Sequence, residues 1–355
     1  MGVRVPDSLV DRLDVDAGAP TVAPGSVEEL AEVLAACARE GCPVTPLGGG
    51  SDMGIGWAPV DGLTISMRHL DAVVDHQPDD LTVVVQGGAT LGGIAGVLGP
   101  HRQMAVLPTS PSHATIGGLL AAGRSGYHRL RFGPSRDHVL EVTLVTGDGR
   151  IVTAGGRVVK NVQGFDLMRL AVGSLGAVGV IARVCLKLWP MPLATATVRI
   201  EDPVVAGRAF RPWAVLETES GTTVHLAGTP EDVAAQGAAL GGEAVVGHVW
   251  PELGGEDDLF EVRVPPSELP EAVRRLPDGT RFVAQHGVGI VEVAVDAPAL
   301  RAWAEARGGA VVRTRGRGGG DPWGSPPASL PLQRRVIARF DPDRIINRGR
   351  LTGRM

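Results

Sequence analysis

The sequence predicts an α+β protein of two domains, the first over residues 1–190 and the second over residues 191–355. Three observations predict it. A chain of 355 residues exceeds the roughly 250 to 300 residues at which a single hydrophobic core stops growing. Four glycine-rich segments fall within the first 190 residues, each at a strand end or a helix start, and the clustering stops in WPMPLATATVRIEDPV at 189–204. Beyond that stretch short strands and helices alternate in an order that suggests a split αβ sandwich with a mainly antiparallel sheet.

In the first domain, residues 26–41 read as a helix. Ser26 and Glu29 have capping-box spacing, Leu30, Val33, Leu34 and Cys37 form an apolar stripe, and Gly41 stands just past the end. CPVTPL at 42–47 is a short strand that delivers the chain into GGGSDMGIG. A strand at 81–86 leads through glycines into a short helix at 90–98. VLEVTLVT and RIVTAG flank Gly147, Asp148 and Gly149, which reads as a hairpin. A helix at 166–172 and a strand at 178–189 complete the domain.

In the second domain, a strand at 223–227 precedes a helix opened by Thr229, Pro230 and Asp232, with the proline in the first turn. Strands at 243–249, 259–264, 281–285, 289–295 and 310–314 accompany helices near 267–276 and 298–307. RGRGGGDPWGSPPASLP at 315–331 reads as an irregular loop, followed by a helix at 332–340 and the tail FDPDRIINRGRL.

Composition excludes several function classes. Hydrophobic residues at 44% and charged residues at 21% suit a packed globular protein rather than a disordered one. A net charge of -5 offers no basic field for a phosphate backbone, so nucleic acid is not an expected partner. No apolar run of 18 residues occurs, so no transmembrane segment is expected, and MGVRVPDSLVDRLD at the start leads to an expectation of a cytoplasmic protein. Cys37, Cys42 and Cys185 form no paired-cysteine motif for a disulfide framework, a zinc site or an iron–sulfur cluster, and are expected to pack as small apolar residues. Of 34 basic residues only Lys160 and Lys187 are lysine, which singles both out.

The glycine-rich segments carry the chemistry. Backbone N–H groups at such turns can converge on a bound anion, and glycine lets a ligand approach the backbone closely. Taken alone, Gly48–Gly50 is a weak signal, since a glycine triplet is more often a flexible loop. No segment fits the dinucleotide fingerprint G-x-G-x-x-G and no glycine–lysine phosphate loop is present, which argues against a nicotinamide enzyme or an ATPase.

The order GGGSD, LPTSPSHATIGG, RLRFGPSRDHVL, KNVQGFDLMRLAVGSLGAVGVI resembles the PCMH-type FAD-binding domain shared by vanillyl-alcohol oxidase and the cell-wall reductase of enolpyruvyl-UDP-sugars, over about residues 20–190. Within that superfamily, residues 155–181, DPWG at 321–324 and FDPDRIINRGRL at 340–351 resemble the E subunit of bacterial glycolate oxidase. The resemblance implies an FAD-binding domain of two αβ subdomains, followed by a cap whose terminal tail returns to the flavin domain. It also implies the flavin pyrophosphate on Leu47, Gly48, Gly49, Gly50, Ser51 and Asp52. Pro108, Thr109, Ala114, Thr115, Ile116, Gly117 and Gly118 would pass along the ribityl chain and isoalloxazine, with Gly126 and Gly133 at close-approach points. Gly176 and Val180 would face the adenine, and Asp137 would brace the loop. Apart from the resemblance, Thr115–Gly118 reads as a tightly packed helix start.

Departures from the family pattern sharpen the expectations. Relatives that hold FAD covalently through this loop carry histidine beside the glycines; Ser51 stands there, so the resemblance implies non-covalent FAD. Phe165 replaces a common tyrosine and Arg348 a common proline. The paired-histidine setting that holds a divalent metal in larger relatives is not found; His225, His248 and His286 read as isolated, and no metal is expected. Lys160 and Asn161 are pocket candidates, a cation for reduced flavin or a carboxylate and an amide to orient a hydroxyl, although a surface ion pair accounts for Lys160 as well. No base is identifiable.

The resemblance implies an oxidoreductase subunit that passes hydride from the α-carbon of a small 2-hydroxy acid to flavin N5, with electrons leaving to a partner. A hetero-oligomer with a larger FAD-binding subunit and an iron–sulfur subunit is expected, docked through apolar surface of the second domain or the segment near Trp323. Trp323 reads equally as packing the C-terminal loop onto the flavin domain. Two other functions fit the same sequence: a flavin-carrying relay or assembly subunit without substrate chemistry, and a free-standing flavin alcohol oxidase.

Overall fold

A computed structural model describes residues 5–14, 19–108, 110–157, 165–254, 258–296, 298–316 and 318–354. The first domain opens with β1 (Thr21–Val22), α1 (Val27–Glu40), β2 (Val44–Leu47) and β3 (Leu63–Ser66). Ser26 Oγ accepts from Glu29 N–H at 3.0 Å, and Gly41 ends α1 at φ 65°. The three strands form a parallel sheet in the order β1-β3-β2. Leu30, Val33, Leu34 and Cys37 of α1 share one core with Val44, Leu63 and Ile65, so period 3.6 on the helix meets period 2 on the strands.

The second sheet is six-stranded and antiparallel. It contains β4 (Val73–Gln77), β5 (Thr82–Gln86), β6 (Gln103–Ala105), β7 (Val139–Val145), β8 (Ile151–Gly155) and β9 (Val180–Pro190), ordered β4-β5-β9-β7-β8 with β6 also on β9. The expected hairpin is β7 with β8. Helices α2 (Leu91–Leu98), α3 (Ile116–Ala122), α4 (Arg129–Phe132) and α5 (Leu167–Ala171) complete the domain. Ile94, Ile116, Leu119 and Leu120 pack with Val83, Val85 and Val184 in its core. All three cysteines are buried thiols, and Lys187 lies over the Trp189 ring at 4.5 Å.

Sheet membership changes after Pro190. The strands β10 (Ala194–Ile200), β11 (Ala214–Thr218), β12 (Gly221–Gly228), β13 (Glu243–Val246), β14 (Leu259–Arg263), β15 (Phe282–Gln285), β16 (Ile290–Val293) and β17 (Ala310–Arg315) form one eight-stranded sheet. Its order is β13-β10-β12-β11-β15-β16-β14-β17, with antiparallel neighbours. Helices α6 (Pro230–Leu240), α7 (Leu269–Arg274) and α8 (Pro298–Glu305) pack on it. Two expectations are corrected. The stretch 189–204 is not merely a boundary, because ATATVRI within it is an inner strand between β12 and β13. The strand expected over 243–249 stops at Val246, and Gly247 turns at φ 90°.

Helix α9 (Leu330–Phe340) leads into the tail. Asp341 is buried, and its carboxylate accepts from the N–H groups of Ile345 at 3.0 Å and Ile346 at 2.9 Å. That clamp lays the tail beside β2: Val44 N–H donates to Ile345 O at 2.8 Å and Asn347 N–H to Val44 O at 2.8 Å. The chain thus returns to the first domain and extends its parallel sheet. Among the described residues no helix is long and apolar enough to cross a membrane.

Candidate functional site

The glycine turn after β2 and the start of α3 meet across a narrow cleft. Leu47, Gly48, Gly49, Gly50, Ser51, Asp52, Thr115, Gly117, Gly118, Gly176 and Val180 all line it, so eleven of the sequence-expected residues come together. The two loops touch directly. A Cβ at Gly48 would collide with the Thr115 side chain and one at Gly49 with the His113 carbonyl. Gly50 adopts φ 77° and has only Leu47 nearby, at 3.8 Å, so its strain-free turn requires glycine while its surroundings stay open. No hydrogen bond among the described residues uses the N–H groups of Gly48 to Asp52, which leaves a row of unspent donors at the turn.

Other expected residues lie elsewhere. Ala114 and Ile116 are core positions, buried by the same turn that brings Thr115 to the cleft. Pro108 and Gly126 line a neighbouring crevice. Gly133 turns at φ 82° against Asp137, whose carboxylate meets Arg169 at 3.2 Å. Thr109, Lys160 and Asn161 lie outside the described residues.

Sequence reasoning missed the tail's share of the cleft. Asn347 and Arg350 also line it. Asn347 is 6% exposed, donates from Nδ2 to Leu175 O at 2.6 Å, and leaves Oδ1 buried without a partner among the described residues. Arg350 is 5% exposed; Nη2 donates to Asp52 O at 2.7 Å and Nε to Ile55 O at 3.1 Å. Burial lowers the Arg350 pKa, partly opposed by Asp52. The Arg350 carbonyl in turn accepts from Trp57 N–H at 3.1 Å and Trp323 Nε1 at 3.0 Å. Trp323 therefore joins the C-terminal loop to the tail and to the turn at Trp57, as the packing expectation has it.

Two further spaces lie between the domains. One, of about 230 Å³, is lined by Ala122, Arg124, Arg129, Arg263, Glu261 and others. The second holds Arg124, Tyr127, Trp250 and Glu292. Strand alternation supplies the side formed by the eight-stranded sheet: Phe260 and Val262 face the helices, while Glu261 and Arg263 line the space shared with Arg124 and Arg129. Glu261 stands opposite Glu292 on the adjacent strand, and the two acids are treated differently. Burial would raise Glu261, but Arg263 at 2.6 Å outweighs it and the pKa falls. Burial dominates at Glu292 and raises it, although Tyr127 donates to it at 3.2 Å. Arg124 reaches from this region to Asp52 at 3.5 Å, joining the cavity to the glycine turn.

The histidines also depart from expectation. His225 and His248 are not isolated: their ring centroids are 5.5 Å apart, His225 stacks on Trp250 at 4.2 Å, and His128 from the first domain meets Trp250 at 5.4 Å. Burial, then neighbouring histidines, pushes His225 down to about 3 and His128 down to about 4. His286 pairs with Glu217 at 2.7 Å.

Comparison with known proteins decides the family. Residues 19–155 match the FAD binding domain family. The Escherichia coli glycolate oxidase subunit GlcE is 31% identical over 318 residues, 82% of this chain and 88% of that protein. The chain belongs to the GlcE family. It is a flavoprotein of the FAD-linked oxidoreductase class. The Bacillus subtilis glycolate oxidase subunit GlcD is 32% identical over 48% of this chain, and an Anaerostipes hadrus D-lactate dehydrogenase 31% identical over 47%. Of those two longer proteins the match spans 37% and 35%. A solved alkyldihydroxyacetonephosphate synthase shares the fold, with TM-score 0.64 and 17% identity over 92% of this chain and 75% of its own.

The cleft of this GlcE-family chain fits FAD. It combines unspent N–H donors at 48–52, an unpartnered buried acceptor at Asn347 and one buried cation at Arg350 between apolar walls. A pyrophosphate needs donors and positive charge, and a purine needs apolar faces with a few placed polar atoms.

Proposed function

We propose that this chain is the flavin subunit of a glycolate-oxidase-type 2-hydroxy acid dehydrogenase, with residues 1–190 holding FAD and residues 191–355 capping the substrate. The observation that carries the reading is the continuity from the glycine cleft, through the Asp52–Arg124 ion pair, into an arginine-lined cavity between the domains. In this reading Leu47–Asp52, Thr115, Gly117, Gly118, Gly176 and Val180 hold the FAD, joined by Asn347 and Arg350. Pro108 and Gly126 approach it from the adjoining crevice. Asp137 braces the loop at Gly133. Bound FAD supplies the hydride acceptor for the substrate α-carbon. The cap excludes water from the cavity, and Arg124 holds the carboxylate of Asp52 away from the flavin phosphates by pairing with it. Lys160 and Asn161 remain proposed pocket residues on the substrate side.

The electrons leave to a partner. The proposed assembly contains a larger FAD-binding subunit and an iron–sulfur subunit, since this chain's cysteines are three buried thiols. Support for docking comes from the cap's edge: β13 is exposed along its length, with Val246 93% exposed and Val245 and Val249 beside it also exposed. An unpaired apolar edge strand invites association. Cytoplasm is the proposed compartment, checked by fractionation. Anaerobic addition of glycolate or D-lactate to the purified yellow chain tests the activity. Bleaching of the flavin is expected. Absence of bleaching alone, with bleaching restored in the native complex, would instead favour a relay or assembly role.

A further inference from the structure

The cavity between the domains carries more positive charge than the fold itself uses. Arg124, Arg129, Arg136 and Arg263 line it against one carboxylate, Glu261. Three of these cations have an anionic partner: Arg124 meets Asp52 at 3.5 Å, Arg136 meets Asp137 at 3.9 Å and Arg263 meets Glu261 at 2.6 Å. Arg129 has no ion pair or side-chain hydrogen bond among the described residues, although it is only half-exposed to solvent. Desolvation lowers its pKa more than the field of Glu261 restores it. A guanidinium removed from water without a bound oxygen is a standing cost.

We propose that this cavity binds the carboxylate of a small monocarboxylic acid, with Arg129 as the anchoring cation. Size sets the class. At about 230 Å³ the space falls below the roughly 300 to 1,000 Å³ of pockets for drug-sized ligands, so a short-chain acid fits and a long one does not. Charge sets the number of acid groups. One cation is uncompensated among the described residues, and a second carboxylate would face Glu261, which Arg263 holds ionised. Geometry favours arginine for the task, because its planar fork grips both carboxylate oxygens at once. The inference rests on the proposed 2-hydroxy acid oxidation only for the chemical identity of the acid, since carboxylate binding needs no turnover.

Oxamate, a monocarboxylate without an α-hydrogen, is the probe, titrated by calorimetry into the full-length chain with FAD bound. Oxamate should bind, malonate should bind more weakly, and Arg129→Met should weaken oxamate by about 10- to 100-fold, the worth of a hydrogen-bonded charge. FAD content, read from the visible spectrum, should stay unchanged. Arg129→Lys, which keeps the charge but loses the fork, should fall between wild type and Arg129→Met, and serves if Arg129→Met fails to fold. No oxamate binding to the wild type, full-strength binding to Arg129→Met, or loss of FAD from that variant would each overturn the proposal. Flavin bleaching by a 2-hydroxy acid without oxamate binding would remove the anion site and leave the proposed activity standing. Oxamate binding without bleaching would do the reverse.

Discussion

Gly49 and Gly118 line the same cleft and carry opposite expectations. The sequence pattern invites the view that Gly49→Val would fill phosphate space in a folded chain, but its Cβ would strike the backbone carbonyl of His113. Gly49→Val should therefore break the contact between the two loops and yield insoluble or unfolded protein. At Gly118 a Cβ meets only the Thr115 hydroxyl, at 3.2 Å, and the position is exposed to the cleft within α3. Glycine inside a helix costs roughly 0.5 to 1 kcal/mol relative to alanine, so Gly118→Val should melt within a few degrees of wild type while FAD occupancy falls at least about tenfold, the effect of 1.4 kcal/mol of lost contact. Equal FAD occupancy in the purified variant would show that the flavin passes elsewhere. Ser51 makes a second expectation at this scale. A hydroxyl bonded to Asp52 at 3.0 Å offers no ring nitrogen for a flavin link, so acid precipitation should leave the yellow colour in the supernatant.

The resemblance implies that the tail returns to the flavin domain, but not that Asn347 and Arg350 share the cleft. Leu47–Asp52 could be recognised because a glycine run directly follows a strand, and Thr115–Gly118 because a capping threonine precedes small residues. Both signals are local. Asn347 and Arg350 have no such neighbours; INRGR reads as a polar end until Asp341 clamps Ile345 and Ile346 and sets the strand beside β2. Strand β10 was hidden for another reason, since its first half alternates alanine and threonine, its large apolar residues Val198 and Ile200 come only at the end, and prolines flank it. The cap's charged inner face was equally invisible, because Glu261 and Arg263 become neighbours of Arg124 and Arg129 only after the domains pack. Arg350→Met tests the tail. It removes two hydrogen bonds to Asp52 O and Ile55 O, each worth about 1.5 to 3 kcal/mol for a charged donor, so both melting temperature and FAD retention on gel filtration should drop. A variant that stays yellow and melts like wild type would separate the tail from the cofactor.

At the scale of the whole molecule, the domains are joined by an aromatic seam. His128 of the first domain packs among Trp213, His248 and Trp250 of the cap. His225, fully buried beneath Trp250, completes it. With folded pKa values of about 4 at His128 and about 3 at His225, the native state keeps these rings neutral where the unfolded chain protonates them near 6.5. Their contribution is fully present above about pH 6.5 and is lost as pH falls below it, because the unfolded state then binds more protons. One pKa unit corresponds to roughly 1.4 kcal/mol, so a large part of a typical margin of about 5 to 15 kcal/mol should be gone by pH 4. The urea midpoint should decline steadily from pH 6.5 to 4, and His128→Phe together with His225→Phe should flatten the decline if the seam repacks. An unchanged slope in that pair would assign acid sensitivity to other groups.

The bond from Arg350 to the Asp52 carbonyl spans 298 residues of chain, and that separation sets a clock. Ribosomes add about 5 to 20 residues per second, so the glycine turn waits roughly 15 to 60 seconds between its own synthesis and the arrival of the guanidinium that closes it. During that interval the flavin domain lacks the strand beside β2, the Arg350 cation and the unpartnered Asn347 oxygen. Nascent chains arrested before residue 341 should take up no flavin, while the chain through residue 355 arrested on an appended linker long enough to clear the exit tunnel should turn yellow. Cofactor loading should then wait for residue 350, and a message truncated before it should leave a colourless chain rather than a partly working one.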